Sequence, residues 1–155
     1  MQIISGTTDF LLQGASAVAI GKFDGMHRGH KALLSEILEA KKRGLQAVVF
    51  TFDPPPAVLF SGKAVKGLTT REEKRRLFRQ IGIDVLIEFP LTFQTAAISP
   101  EDFLRVIVQE QIFQRTGIRV EVLSNAEQHF LGYKSIAAIE SGFKKIIQKG
   151  TAILD

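Results

Sequence analysis

Two short segments, Ala15–Gly21 (ASAVAIG) and Leu45–Phe52 (LQAVVFTF), are nearly unbroken apolar runs rich in β-branched residues. A strand covered on both faces in a parallel sheet reads this way, because neither side of its pleat meets water. Asp84–Phe89 (DVLIEF) and Ile118–Leu123 (IRVEVL) repeat the pattern and predict two more strands. Between the first two runs the apolar spacing becomes helical. Leu33, Leu34, Ile37 and Leu38 share a face, Lys41, Lys42 and Arg43 fall in the last turn where cations suit the helix dipole, and Gly44 provides a stop.

A second helix is predicted from Thr70 to about Gln80, because Thr70 and Glu73 form the S/T-x-x-E box that satisfies otherwise orphaned amides. A third opens with Ser99 as N-cap, Pro100 at the first helical position and acids at 101 and 102, and buries Phe103, Leu104, Ile107 and Val108. A fourth carries Ile136, Ile139, Phe143, Ile146 and Ile147 and stops at Gly150, after which TAILD starts a fifth strand. These apolar stripes read as core. The longest irregular piece is the loop from Pro54 to Leu68. Strands alternating with helices imply right-handed βαβ units, hence an α/β, Rossmann-like doubly wound parallel sheet of four to five strands with flanking helices, in one domain spanning 1–155.

Composition narrows the chemistry. At 155 residues and 45% hydrophobic, the chain can bury a real core. It has no cysteine, which excludes disulfides, thiolate catalysis and cysteine metal sites. Neither a secretion signal nor an apolar run of about 18 residues is present, so a cytoplasmic protein with no membrane partner is expected. Twenty Lys and Arg against 16 Asp and Glu favour an anionic partner, for which phosphorylated small molecules suffice without nucleic acid.

In an open parallel sheet, ligands gather where strand-to-helix loops meet helix N-termini. GKFDGMHRGH, Gly21 to His30, is such a loop. Exposed amides at the helix entrance favour phosphate, and Gly25 and Gly29 let a phosphate chain approach the backbone. His27 and His30 would then point donors at the same anion. The loop is neither a G-x-x-x-x-G-K-[ST] phosphate loop nor a G-x-G-x-x-G fingerprint, which removes the mechanical parts of a P-loop kinase or a dehydrogenase.

Bland readings stand beside these. Two histidines alone recur by chance, and as metal ligands they have only His129 to join them. Asp24 and Asp53, at strand ends, suit acid or base work but equally suit capping of loop amides. Arg71, Arg75 and Arg79 line one side of the second helix, a stripe suited to an anion or a nucleic-acid backbone, although a solvated face partly neutralised by Glu72 and Glu73 is the simpler reading.

GKFDGMHRGH resembles the H-x-G-H signature of the nucleotidyltransferase superfamily, and F-D-G-x-H-x-G-H resembles its flavin branch, the FMN adenylyltransferase (FAD synthetase) module of bacterial riboflavin kinase/FAD synthetases. TFDPPP at 51–56 is similar to that family's T-F-x-P-x-P segment, LTTREEKRRLF to its L-T-x-x-x-E-K helix, and IGIDVLIEFP followed by SPEDFL to its later strand and helix. The likeness covers about residues 15–113. Pro55 stands where the family usually has a histidine. The family's G-x-D/N-F-x-F-G and S-S-T-x-I-R segments have no recognisable counterpart, with Asn125, Phe130 and Gly132 as altered remnants of the first. No riboflavin kinase domain is expected.

The resemblance implies an enzyme that transfers AMP from ATP to FMN, giving FAD and pyrophosphate, with Mg2+ accompanying ATP. It implies that His27 and His30 act on the phosphates and that Gly21, Phe23, Asp24 and Gly29 shape the ATP pocket. Asp53, Pro54, Pro56 and Phe60 would lie near the flavin. A catalytically lapsed nucleotide- or flavin-binding relative, and a transferase with another phosphorylated acceptor, remain the alternatives. Oligomeric state is left open.

Overall fold

A computed structural model describes residues 1–26, 28–61, 67–99, 102, 103, 107 and 111. Its described elements are β1 (Gln2–Ser5), β2 (Ser16–Ile20), α1 (Arg28–Lys42), β3 (Gln46–Asp53), α2 (Pro56–Ser61), α3 (Arg71–Ile81), β4 (Val85–Pro90) and α4 (Phe93–Ala96). The strands form one sheet in the order β1-β4-β3-β2, every pairing parallel. The α/β, Rossmann-like reading therefore holds. Strands β2, β3 and β4 fall where the apolar runs predict them. The runs at 118–123 and 151–155, the helix at 136–147, and the helical positions Pro100, Leu104 and Val108 lie outside the described residues.

Because successive side chains point to opposite faces, β3 feeds two cores at once. Val48, Phe50 and Phe52 join Val85, Ile87 and Phe89 of β4 on one face, where Phe10, Leu12, Phe103 and Ile107 cover them. Ala47 and Val49 join Ala19 and Leu86 on the other, against Leu34 and Ile37 of α1 and Phe78 of α3. Sheet residues buried on both sides explain why these strands read as continuous apolar runs.

Local signals set the helix ends. Thr70 caps α3 by accepting the Glu73 amide at 3.2 Å, and the Glu73 carboxylate accepts the Thr70 amide at 2.7 Å. Gly82 closes that helix with φ +94°, a left-handed conformation in which a side chain would be strained. Thr70→Ala is expected to lower stability by about 1 kcal/mol, read as a shifted urea midpoint at unchanged slope. Ser99 also behaves as expected, its Oγ accepting the Asp102 amide at 3.1 Å.

Two elements depart from the sequence reading. The loop predicted from Pro54 to Leu68 contains α2, which starts at Pro56. Proline fits the first helical position, where its missing N–H would have had no partner. The first strand, β1, has only Ile3 and Ile4 as an apolar signal. It is held by parallel pairing with β4, Ile3 opposite Leu86, and by the Gln2 amide donating to the Asp84 carbonyl at 2.7 Å.

Candidate functional site: a charged cleft at the carboxyl ends of the strands

The face of the sheet that packs against α1 and α3 changes character along its strands. On β3 the inward positions run Ala47, Val49, Thr51, Asp53, and on β4 Leu86 is followed by Glu88, which lies in register with Thr51. Apolar core gives way to polar groups in the last rungs, at the carboxyl ends where ligands of such sheets bind. A cavity of about 240 Å³ opens there. Its polar lining includes Lys22, Asp24, Asp53, Arg71, Lys74 and Glu88, and its apolar lining includes Phe52, Pro55, Val58 and Phe78.

Glu88 is the electrostatic centre of this wall. Its side chain is only 5% exposed, yet it is ionised between two guanidinium groups. Arg71 donates to Oε2 through Nε at 3.0 Å and Nη2 at 2.6 Å, while Arg75 reaches Oε1 through Nε at 2.9 Å and Oε2 through Nη2 at 2.6 Å. Burial by itself would raise the Glu88 carboxyl, but the hydrogen bonds from Arg75 and Arg71 outweigh it and hold the group below the usual glutamate range. The same bonds push both arginines up. The expectation of a merely solvated arginine face is corrected here: Arg71 and Arg75 turn toward the sheet, because a carboxylate embedded in β4 needs partners.

Arg71 also meets Asp53, its Nη1 lying 3.1 Å from Oδ2. Burial lowers Lys74 from the usual lysine range, and its Nζ donates to the Lys22 carbonyl at 3.4 Å. Asp24 serves the loop: its Oδ1 accepts from the Thr69 amide at 3.1 Å and the Thr69 hydroxyl at 3.3 Å, tying the first glycine-rich turn to the entrance of α3. The carboxylates expected near nucleotide and flavin, Asp24 and Asp53, thus line one cavity.

The histidine loop is built differently from its expectation. His27 lies outside the described residues. His30, in the first turn of α1, is 2% exposed, and its ring packs on Phe23 with centroids 5.0 Å apart. The imidazole expected to face an anion is thus enclosed by its own helix entrance and Phe23. Phe23 itself has φ +47°, a sparsely populated conformation for a side-chain-bearing residue. Its fully buried ring, edge-on to Phe78 at 5.6 Å, fixes it there. Gly21 donates its amide to the Phe50 carbonyl at 3.0 Å, and Gly29 is the second residue of α1. Gly25 has φ +70°, and a Cβ there would come 2.6 Å from Leu68.

On the proline side, Pro55 and Val58 line the cavity, whereas Pro54, Pro56 and Phe60 do not. Phe60 is 62% exposed and sits edge-on to Phe93 at 6.5 Å. Lys22, Thr51, Lys74 and Glu88 line the cavity without a motif that marks them for it. The available signal was Glu88 itself, a charge inside the apolar run of β4, matched by two arginines one turn apart.

The chain is similar to several known proteins. A bifunctional riboflavin kinase/FMN adenylyltransferase of Listeria monocytogenes is 38% identical over 101 residues, covering 63% of this chain and 32% of that protein. The Escherichia coli K12 protein of the same description is 37% identical over 94 residues, covering 59% and 30%. A Listeria monocytogenes FAD synthetase is 36% identical over 94 residues, covering 58% and 37%. This chain therefore matches about a third of the length of each of these relatives. Among solved structures, one described as a macrolide-efflux protein from Streptococcus pneumoniae superimposes with a TM-score of 0.59 at 23% identity, covering 71% of this chain and 38% of that one, a likeness of fold. The model of the FAD synthetase family matches residues 11–125, which include the histidine loop, the TFDPPP segment and the charged wall of the cleft, and the chain belongs to that family.

Proposed function

We propose that this chain is an FMN adenylyltransferase module. An oxygen of the FMN phosphate attacks the α-phosphorus of ATP, the bond from that phosphorus to the oxygen bridging the β-phosphate breaks, and pyrophosphate leaves as FAD forms. The observation that carries this reading is the family match over residues 11–125, which spans both the histidine loop and the proline-rich turn. A cleft at the carboxyl ends of the strands, with cations and apolar surface side by side, supports a substrate that joins phosphate to a flat ring.

In this reading His27 and His30 donate to the phosphates and stabilise the charge that develops as the leaving group departs. Gly21, Phe23, Asp24 and Gly29 shape the ATP side, and Asp53, Pro54, Pro56 and Phe60 the flavin side. No covalent intermediate is needed; positioning and electrostatics carry the rate. Mg2+ enters with ATP, held mainly by phosphate oxygens and water. Among the described residues no group of three His, Cys, Asp or Glu is placed to hold a metal. No helix of the described residues is long and apolar enough to cross a membrane. The proposed setting is the cytoplasm, where ATP and FMN are available.

The purified chain incubated with Mg2+, ATP and FMN is expected to yield FAD and pyrophosphate in equal amounts, separated by chromatography. CTP in place of ATP, and other phosphorylated acceptors in place of FMN, test the neighbouring activities. One observation favours a second reading: the His30 ring is enclosed beneath Phe23. A lapsed relative would bind FMN or ATP in this assay and release no FAD.

A further inference from the structure

Arg71 makes two contacts of different permanence. Its partner Glu88 has a side chain 5% exposed and shared with Arg75, so leaving the guanidinium would strand a buried carboxylate. Its other partner, Asp53, is 40% exposed and can turn into water at little cost. Arg71 itself is 47% exposed on the cavity wall. Of the five N–H groups of a guanidinium, these carboxylate contacts occupy three, through Nε, Nη2 and Nη1.

Such a group is rigidly aimed by one carboxylate and only temporarily satisfied by another. An incoming phosphate dianion offers two oxygens to arginine's planar fork, with more charge than the carboxylate it displaces. The surroundings favour that exchange. Lys22 and Lys74 line the same cavity as Arg71, beside the carboxylates of Asp24, Asp53 and Glu88, while Arg75 is shared between Glu88 and Glu72. Asp24 is engaged by Thr69, and Glu88 by both arginines. Burial disfavours the charged form of Lys74, and an arriving anion relieves that penalty. The amides of α3 are not the attraction, since Thr70 and Glu73 close its entrance.

We infer that Arg71 binds the phosphate monoester of the acceptor, exchanging Asp53 for it, and that Glu88 and Arg75 are positioning residues that keep the guanidinium aimed. This rests on the adenylyltransferase reading and assigns within it the residue that distinguishes FMN from riboflavin, which has the same ring and no phosphate.

The test is a calorimetric titration of the full chain with FMN and, separately, riboflavin, alongside KM values for FMN and ATP. Wild type is expected to bind FMN more tightly than riboflavin. Arg71→Ala is expected to lose at least about tenfold in FMN affinity with riboflavin affinity unchanged, as suits loss of a charged hydrogen bond. Arg71→Lys, which keeps charge but not the fork, is expected to retain part of the preference and serves if the alanine variant does not fold. Glu88→Gln is expected to narrow the FMN-to-riboflavin ratio, a readout that a merely structural role would not move. An unchanged ratio in Arg71→Ala or Arg71→Lys, with FAD still formed, overturns this inference and leaves the proposed function standing. So does a raised KM for ATP with FMN unaffected, which would place the guanidinium on the triphosphate. Wild type that binds neither flavin and forms no FAD overturns both.

Discussion

His30→Ala is expected to lower FAD turnover at saturating substrates by about 100- to 1,000-fold, roughly 2.7 to 4 kcal/mol, while FMN affinity stays near that of wild type. The asymmetry follows from where the ring sits. His30 lies in the first turn of α1, a helix whose first turn carries no acidic residue to oppose a phosphate. In the proposed reading, its 2% exposure means that a hydrogen bond donated to a phosphate is little screened by water, so its loss is costly. Enclosure also gives the ring a packing role, since it contacts Phe23 and Phe23 contacts Phe78. Alanine therefore leaves a void and lowers stability as well. The two effects separate by measuring turnover per folded molecule and by comparing His30→Gln, which fills more of the space without an imidazole. If both variants lose FMN affinity and melting temperature together while turnover per folded molecule is retained, the ring is a wedge under Phe23 and not a catalytic group.

The readable part of this protein is what repeats locally. Strands β3 and β4 are legible because side chains on both of their faces join a core, so their runs stay mostly apolar despite Thr51 and Glu88 near the carboxyl ends, and β2 because Ala17–Ile20 is apolar throughout. The helix α3 is legible because its cap and its stop are chemical, Thr70 with Glu73 at one end and Gly82 at the other. β1 is not legible, since four residues with two isoleucines carry too little pattern, and only the edge of β4 makes them a strand. α2 hides among prolines that signal a turn as strongly as they permit a helix start.

The site divides along the same line. The FDG and TFDPPP segments announce Asp24 and Asp53, which do share one cavity. Glu88 and its arginines could not be read as a network, because the two sides of each contact lie 13 and 17 residues apart in sequence and meet only when α3 folds back on β4. The spacing of Arg71 and Arg75 predicts a common helix face but not which way it turns. The burial of His30 is likewise set by the left-handed Phe23 above it.

Glu88→Gln is expected to cost about 2 kcal/mol of stability at neutral pH, measured by denaturant unfolding. Removing one member of a fully buried ion pair typically costs about 3–5 kcal/mol, because the remaining charge is left without compensation. The smaller figure applies here because Arg71 is 47% exposed and Arg75 20% exposed, so both guanidinium groups recover some hydration. Arg75 keeps its 3.0 Å contact with Glu72 as well. The pH dependence has a definite sign. The folded-state carboxyl is held below its ordinary range, so above that range the unfolded chain and the native protein both carry the charge and its full stabilisation is present. As pH falls through the ordinary glutamate range and on toward the lower native value, the unfolded state takes up the proton first and the stabilisation is lost. The difference between wild type and Glu88→Gln is therefore expected to be constant from neutral pH to about pH 5 and to shrink below it. A double-mutant cycle with Arg75→Ala supplies the second arm: if the Glu88 carboxylate is stabilised by Arg75, Glu88→Gln costs less in the Arg75→Ala background than in wild type. Equal costs in both backgrounds, or a wild-type advantage that persists undiminished at low pH, would mean that Glu88 contributes through packing and not through its charge.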